Sequence, residues 1–188
     1  AFYGFGGGVC KIMDVTNIPQ PDQTEIKNET QTSGSATSGA SFVPNPNIGL
    51  GLKVLAVIGT YPDPNAFNGD ASLSGQFSPS GGLNKIEFNF DFWSMAELTE
   101  RANAEILGNA NISYVPPTKI FSLTASVKID KPGLISTVGV NNLNDRVNLA
   151  LKIDGKFNKW YFICGIPYQP NNVKILSANA WEYILVGN

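Results

Sequence analysis

The chain has 188 residues, 43% of them hydrophobic and only 15% charged, with a net charge of −2 and a pI near 5.1. Thirteen basic residues spread singly give no cationic footprint for a nucleic-acid partner. No run approaches the roughly 18 apolar residues of a membrane-spanning helix, so the expectation is no membrane span.

The length fits one domain, large enough to bury a core without metals or staples. The chain opens Ala1-Phe2 with no initiator Met, as a mature protein does after signal-peptide removal at a small-residue site. A chain trimmed at its start reads the same. With the Asn-, Ser- and Thr-rich composition, this gives an expected location outside the cell or at its surface. Cys10 and Cys164 lie too far apart in sequence for a Cys-x-x-Cys redox or zinc site. They read either as one disulfide closing most of the chain or as two packed thiols. Asn28 and Asn111 each head an Asn-x-Ser/Thr sequon for glycosylation.

Residues 1–15 form an apolar arm. At period two, Tyr3, Phe5, Val9 and Met13 share one face, while Gly4, Gly6, Gly8 and Cys10 leave the other nearly bare backbone. Residues 16–48 carry prolines at both ends around a Ser/Thr/Gly/Asn/Gln middle, too poor in large apolar groups to order itself, and read as a flexible linker. The domain proper, 49–188, reads as strands. Leu50–Ile58 is apolar on both faces, as in a central strand. Residues 61–70 are turn chemistry, and 71–77 alternate.

Ile86, Phe88, Phe90 and Phe92 then alternate with Glu87, Asn89 and Asp91. Ser94 followed by Glu97 has capping-box spacing, Met95, Leu98, Ala102 and Ile106/Leu107 recur at helical intervals, and Gly108 stands as a C-terminal cap, so one short helix is expected here. Pro116-Pro117 ends it. Strands follow over 118–130 and 134–140. Val147, Leu149, Leu151 and Ile153 then alternate into the hairpin signal Asp154-Gly155, with the partner strand over 156–165. Residues 173–186 close the chain. Some eight strands separated by turn signals predict an all-β, antiparallel sandwich or jelly roll with one short helix and an extended N-terminal arm.

The chain has no histidine, which removes the histidine-based nucleophile systems and the commonest metal ligand. Paired carboxylates are the remaining catalytic option, with Glu87, Asp91 and Glu182 as candidates, but a solvated strand face is the preferred reading; no enzyme and no cofactor are expected. Asp63, Asn65, Asn68 and Asp70 supply hard oxygen donors for calcium within one loop, although Asx residues also make turns unaided. Trp93, Trp160, Tyr161, Trp181 and Tyr183 suit either a sugar or lipid site or the core.

Apolar arm, polar tether and β domain, in that order over residues 1–48 and beyond, resemble the subunits of donor-strand filaments. These are the bacterial chaperone–usher pilins and the thread-like and cannula-like filaments of archaea. The resemblance implies a structural subunit of an extracellular filament or pilus, with itself as partner. In it, Tyr3, Phe5, Val9 and Met13 enter pockets of a neighbour by β-augmentation. The alternatives are a monomeric secreted domain binding carbohydrate or lipid, and a jelly-roll viral capsid protein, whose arm would need more basic residues than Lys11 to meet a genome.

Overall fold

In the computed structural model, residues 1–17, 41–98, 100–131, 133–138, 145–165 and 170–188 are described, and they are almost entirely strand. The N-terminal part gives β1 (Phe2–Cys10), β2 (Met13–Asn17) and β3 (Ser41–Pro44). Five long strands follow: β4 (Leu50–Gly59), β5 (Phe67–Phe77), β6 (Leu83–Ser94), β7 (Ile106–Val115) and β8 (Ile120–Lys131). The rest is β9 (Ile135–Thr137), β10 (Val147–Asp154), β11 (Lys159–Cys164), β12 (Asn171–Ile175), β13 (Ala178–Glu182) and β14 (Ile184–Gly187).

Long alternating runs satisfy their backbone by pairing with the next run in sequence. The result is an open antiparallel sheet ordered β1-β4-β5-β6-β7-β8-β10-β11-β14, with β9, β12 and β13 branching from β8, while β2 and β3 pair as a separate ribbon. Asp154 fulfils the hairpin expectation between β10 and β11: its Oδ1 accepts the N–H groups of Lys156 and Phe157. No second layer forms the expected sandwich or jelly roll among the described residues. The buried apolar side chains there are Cys10, Ile48, Ala96 and Ala104, and the largest fully buried side chain is Asn68.

The expected helix over 94–107 is absent. Ser94 ends β6 with its hydroxyl donating to Ala66 O at 2.7 Å, so it caps no helix. Met95 adopts φ 59°, which breaks helical geometry at its first position. Only a single turn of 3-10 helix, Arg101–Asn103, follows. Ile106, Leu107 and Gly108 belong to β7, where a Cβ on Gly108 would lie 2.5 Å from Ser126 O and 2.7 Å from Phe92 Cζ. That glycine serves close strand approach, with a phenyl ring lying over it, and not a helix cap.

The linker expected over 16–48 is partly ladder. Asp14, Val15 and Asn17 pair with Val43, Phe42 and Ser41, so the strands on either side of residues 18–40 are paired neighbours. Extra chain between β2 and β3 therefore gives the arm no reach. The arm itself is seated in cis: β1 pairs with β4 from Phe2↔Ile58 to Cys10↔Gly51.

Gly108→Ala is expected to destabilise the fold by about 1–3 kcal/mol, because the added methyl meets backbone oxygen and a packed ring. Gly8→Ala, where a Cβ meets nothing within 4 Å, should stay within about 0.5 kcal/mol of the parent. Urea unfolding of the two variants checks both.

Candidate functional site

Strand register decides which side chains share a face. Across β1, β4, β5, β6, β7, β8, β10 and β11, one row reads Val54, Leu73, Phe88, Ile112, Leu123, Leu151 and Phe162. The next row reads Phe5, Ala56, Ala71, Phe90, Ala110, Ala125, Leu149 and Cys164. The rows on either side continue the pattern, from Ile58, Phe92, Val127 and Val147 at one margin to Leu52, Ile86, Tyr114, Phe121, Ile153 and Trp160 at the other. Apart from Lys131 at the last position of β8, no Asp, Glu, Lys or Arg occupies this face on β4 to β8. The phenyl rings of Phe67, Phe88, Phe90 and Phe92 stack along it with centroids 6.0–6.4 Å apart.

Among the described residues, no second layer covers this face. Phe5 is 93% exposed, Val54 56%, Leu73 48%, Ile153 42% and Phe88 36%. Nine strands about 4.8 Å apart and a band about 27 Å tall make an apolar surface on the order of 1,000 Å². The largest apolar patch on an ordinary monomer is about 300–600 Å². Covering even half of it would contribute on the order of 12 kcal/mol at about 25 cal/mol per Å², as much as a domain's whole net stability of about 5–15 kcal/mol.

The opposite face, apart from Leu55 and Val57 on β4, is mostly polar and internally tied. Arg101 reaches back from the 3-10 turn to grip Asp70 through both oxygens, at 2.7 and 2.8 Å, and donates Nε to Asn68 Oδ1 at 2.9 Å. Asn68 in turn donates to Ala96 O at 3.0 Å and Pro64 O at 3.3 Å, and the guanidinium lies 4.2 Å over the Trp93 ring. This clasp pins the loops 60–66 and 95–105 to the sheet. In mid-sheet, Lys85 and Asn111 hold the Glu87 carboxylate, Asn111 also donating to Asn89. Burial works to raise the Glu87 pKa, but the hydrogen bonds from Lys85 and Asn111 and the Lys85 charge outweigh it and set it below the ordinary glutamate value. Off this face, Asn171, almost fully buried, exchanges hydrogen bonds with the Asn148 backbone and donates to Cys164 Sγ in the apolar row, locking β12 beside β10.

These placements correct several expectations. Tyr3 does not join Phe5 and Val9: the register shifts between Phe2 and Gly4, and the Tyr3 hydroxyl donates to Thr60 O on the other side. Phe2 takes its place, and Met13 lies on β2. Cys10 and Cys164 are both free thiols, one at the β1 edge with Sγ bonded to Met13 O and the other six pairings away along the sheet from β4. The calcium candidates are otherwise engaged. Asp63 accepts the Asn65 N–H as an Asx turn, while Asn68 and Asp70 hold Arg101. No group of three acidic, Cys or His residues suited to a metal occurs among the described residues.

Asn111 sits in mid-strand with its amide engaged, and Asn28 lies outside the described residues. Glu87 and Asp91 share the polar face but Glu182 is on β13, so the three carboxylates are not brought together. Asp91, Trp93, Asn109, Ser126 and Arg146 line a shallow recess of about 430 Å³. Trp160 and Tyr161 fall on opposite faces of β11, and Trp181 and Tyr183 lie beyond, at β13 and after it. No described helix is long and apolar enough to cross a membrane.

Arg101 and Asn171 carry no sequence signal that singles them out, and nothing in the sequence joins Asn68 to Arg101; only the register places them. No protein-family model matches the chain, and no curated protein and no solved structure shows significant similarity to it.

Arg101→Ala is expected to cost about 3–5 kcal/mol, since it leaves the Asp70 carboxylate buried and unpaired, and to loosen the loops 60–66 and 95–105 in hydrogen exchange. Glu87 adds stability above the ordinary glutamate range that is lost as pH falls through its lowered folded-state pKa. Glu87→Gln should therefore remove part of the acid limb of the stability–pH curve, read by denaturant titration at a series of pH values.

Proposed function

We propose that this chain is a non-enzymatic structural subunit that builds an extended extracellular or cell-surface assembly from copies of itself, with the N-terminal strand as the joining element. The observation that carries the reading is β1. Among the described residues it is an edge strand of nine residues paired only with β4, and it contains no charged residue and no proline. Long, flat, apolar edges of this kind recruit another strand unless blocked.

The cis seat of β1 on β4 alters the manner of joining implied by the filament resemblance. The arm is offered at its open edge while it stays on its own sheet, instead of being handed to a neighbour. Every pairing along the nine-strand path is antiparallel, so β1 and β14 run in the same direction. Antiparallel joining therefore brings β1 against β1, about a two-fold axis normal to the sheet, and β14 against β14 about another. Alternating these contacts gives an open ribbon that keeps every apolar face on one side. The second layer that a sandwich requires would have to come from outside the described residues.

The test places a gatekeeper charge on the edge without disturbing the fold. Gly8→Lys is suitable, because a side chain there meets nothing within 4 Å and points away from the apolar face. Light scattering and electron microscopy should show long assemblies of the full chain, shortened by Gly8→Lys to particles of at most two copies. A parent chain that stays single, or a variant that assembles to the same length, overturns the reading.

A further inference from the structure

We infer that the uncovered apolar face is a lipid-contacting surface, covered by the hydrocarbon of a membrane and not by another protein layer. Three observations point the same way. The first is strand length. β4, β5, β6, β7 and β8 have 10, 11, 12, 10 and 12 residues. Strands in globular proteins usually have about 3–10 residues, most often about 5–6, whereas strands that cross a bilayer need about 9–11.

The second is the band. From Leu50 to Ile58 on β4, and from Phe121 to Ile129 on β8, five successive inward-sharing positions are apolar or alanine. Each spans about 27 Å at 3.3–3.4 Å per residue, close to the apolar band of about 25 Å on lipid-facing β-walls. The third is the margin. Ile86, Tyr114, Phe121, Ile153 and Trp160 fall on one register row at one end of the strands. Tyr and Trp there present an apolar body to hydrocarbon and a polar tip to the headgroups.

The other face, with Lys85, Glu87, Asn89, Asn109, Asn111, Ser122 and Thr124, would stay in water. A net charge of −2 means that the binding needs no anionic lipid.

The inference stands independently of joining at β1, and the experiment separates the two. Single cysteines at Leu73, in the middle of the band, and at Ser74, its neighbour on the polar face, are introduced into the full chain with Cys10→Ser and Cys164→Ala. Each is labelled with an environment-sensitive fluorophore and mixed with phosphatidylcholine vesicles. The expected result is a several-fold rise in emission at position 73, quenched by nitroxide lipid, with no change at 74. Leu73→Glu, at a half-exposed position, should abolish co-flotation with the vesicles while leaving the circular dichroism unchanged. A probe at 73 that responds to protein concentration but not to vesicles assigns the face to a second copy and overturns the inference. So does a probe that responds to neither, or a Leu73→Glu chain that floats as the parent does. Gly8→Lys is on the opposite face, so its failure to block assembly would leave these results untouched.

Discussion

Everything in this molecule depends on one constraint: successive side chains of a strand point to opposite faces, and the register between neighbours is held without slippage over five long strands. A one-residue slip at any pairing would turn a whole strand over and put Glu87 or Lys128 among the phenyl rings. The register keeps charge off one face and concentrates it on the other. That separation gives the sheet a greasy side large enough to demand a partner and a wet side able to satisfy itself.

The two faces are stabilised in different ways. On the apolar side, phenyl rings lie along the sheet and across its glycines: a Cβ at Gly69 would sit 2.8 Å from Phe90 Cε2, and one at Gly108 would sit 2.7 Å from Phe92 Cζ. The rings shield bare backbone that would otherwise face solvent. On the polar side, cohesion comes from hydrogen-bonded clusters, and the deepest is the Asn68–Asp70–Arg101 clasp. The arginine is held by a fixed fork of donors and by the Trp93 ring, so two long loops are tied to strands that would otherwise end loosely. Edge joining at β1 and contact of the broad face with lipid use different parts of this architecture and are compatible, since a ribbon of edge-joined copies keeps its apolar side continuous.

Alternation made most strands legible in the sequence: 86–92, 147–153 and the hairpin at Asp154 appear where period two and turn chemistry place them. The helix expected over 94–107 failed because three- and four-residue spacing of apolar side chains also arises when a loop joins two strands, and the Ser94 hydroxyl was committed to Ala66 O. The four-residue arm pattern failed at Tyr3 because a register shift near Phe2 is invisible to counting by twos. Asn68, Asp70 and Arg101 were unreadable as a unit, since the first two meet the third only when β5 and the turn after β6 stack in space.

By itself, then, the sequence determined the all-β class, the absence of histidine chemistry, the weak case for nucleic acid and the amphipathic strand pattern, because composition and period-two alternation are local properties. The tertiary structure decided that these strands form one open sheet, that the arm lies on its own β4, that Cys10 and Cys164 are apart, and that the apolar positions fuse into one uncovered face. Those outcomes are set by cross-strand register and by which strands are neighbours, and neither is written in any single stretch of chain.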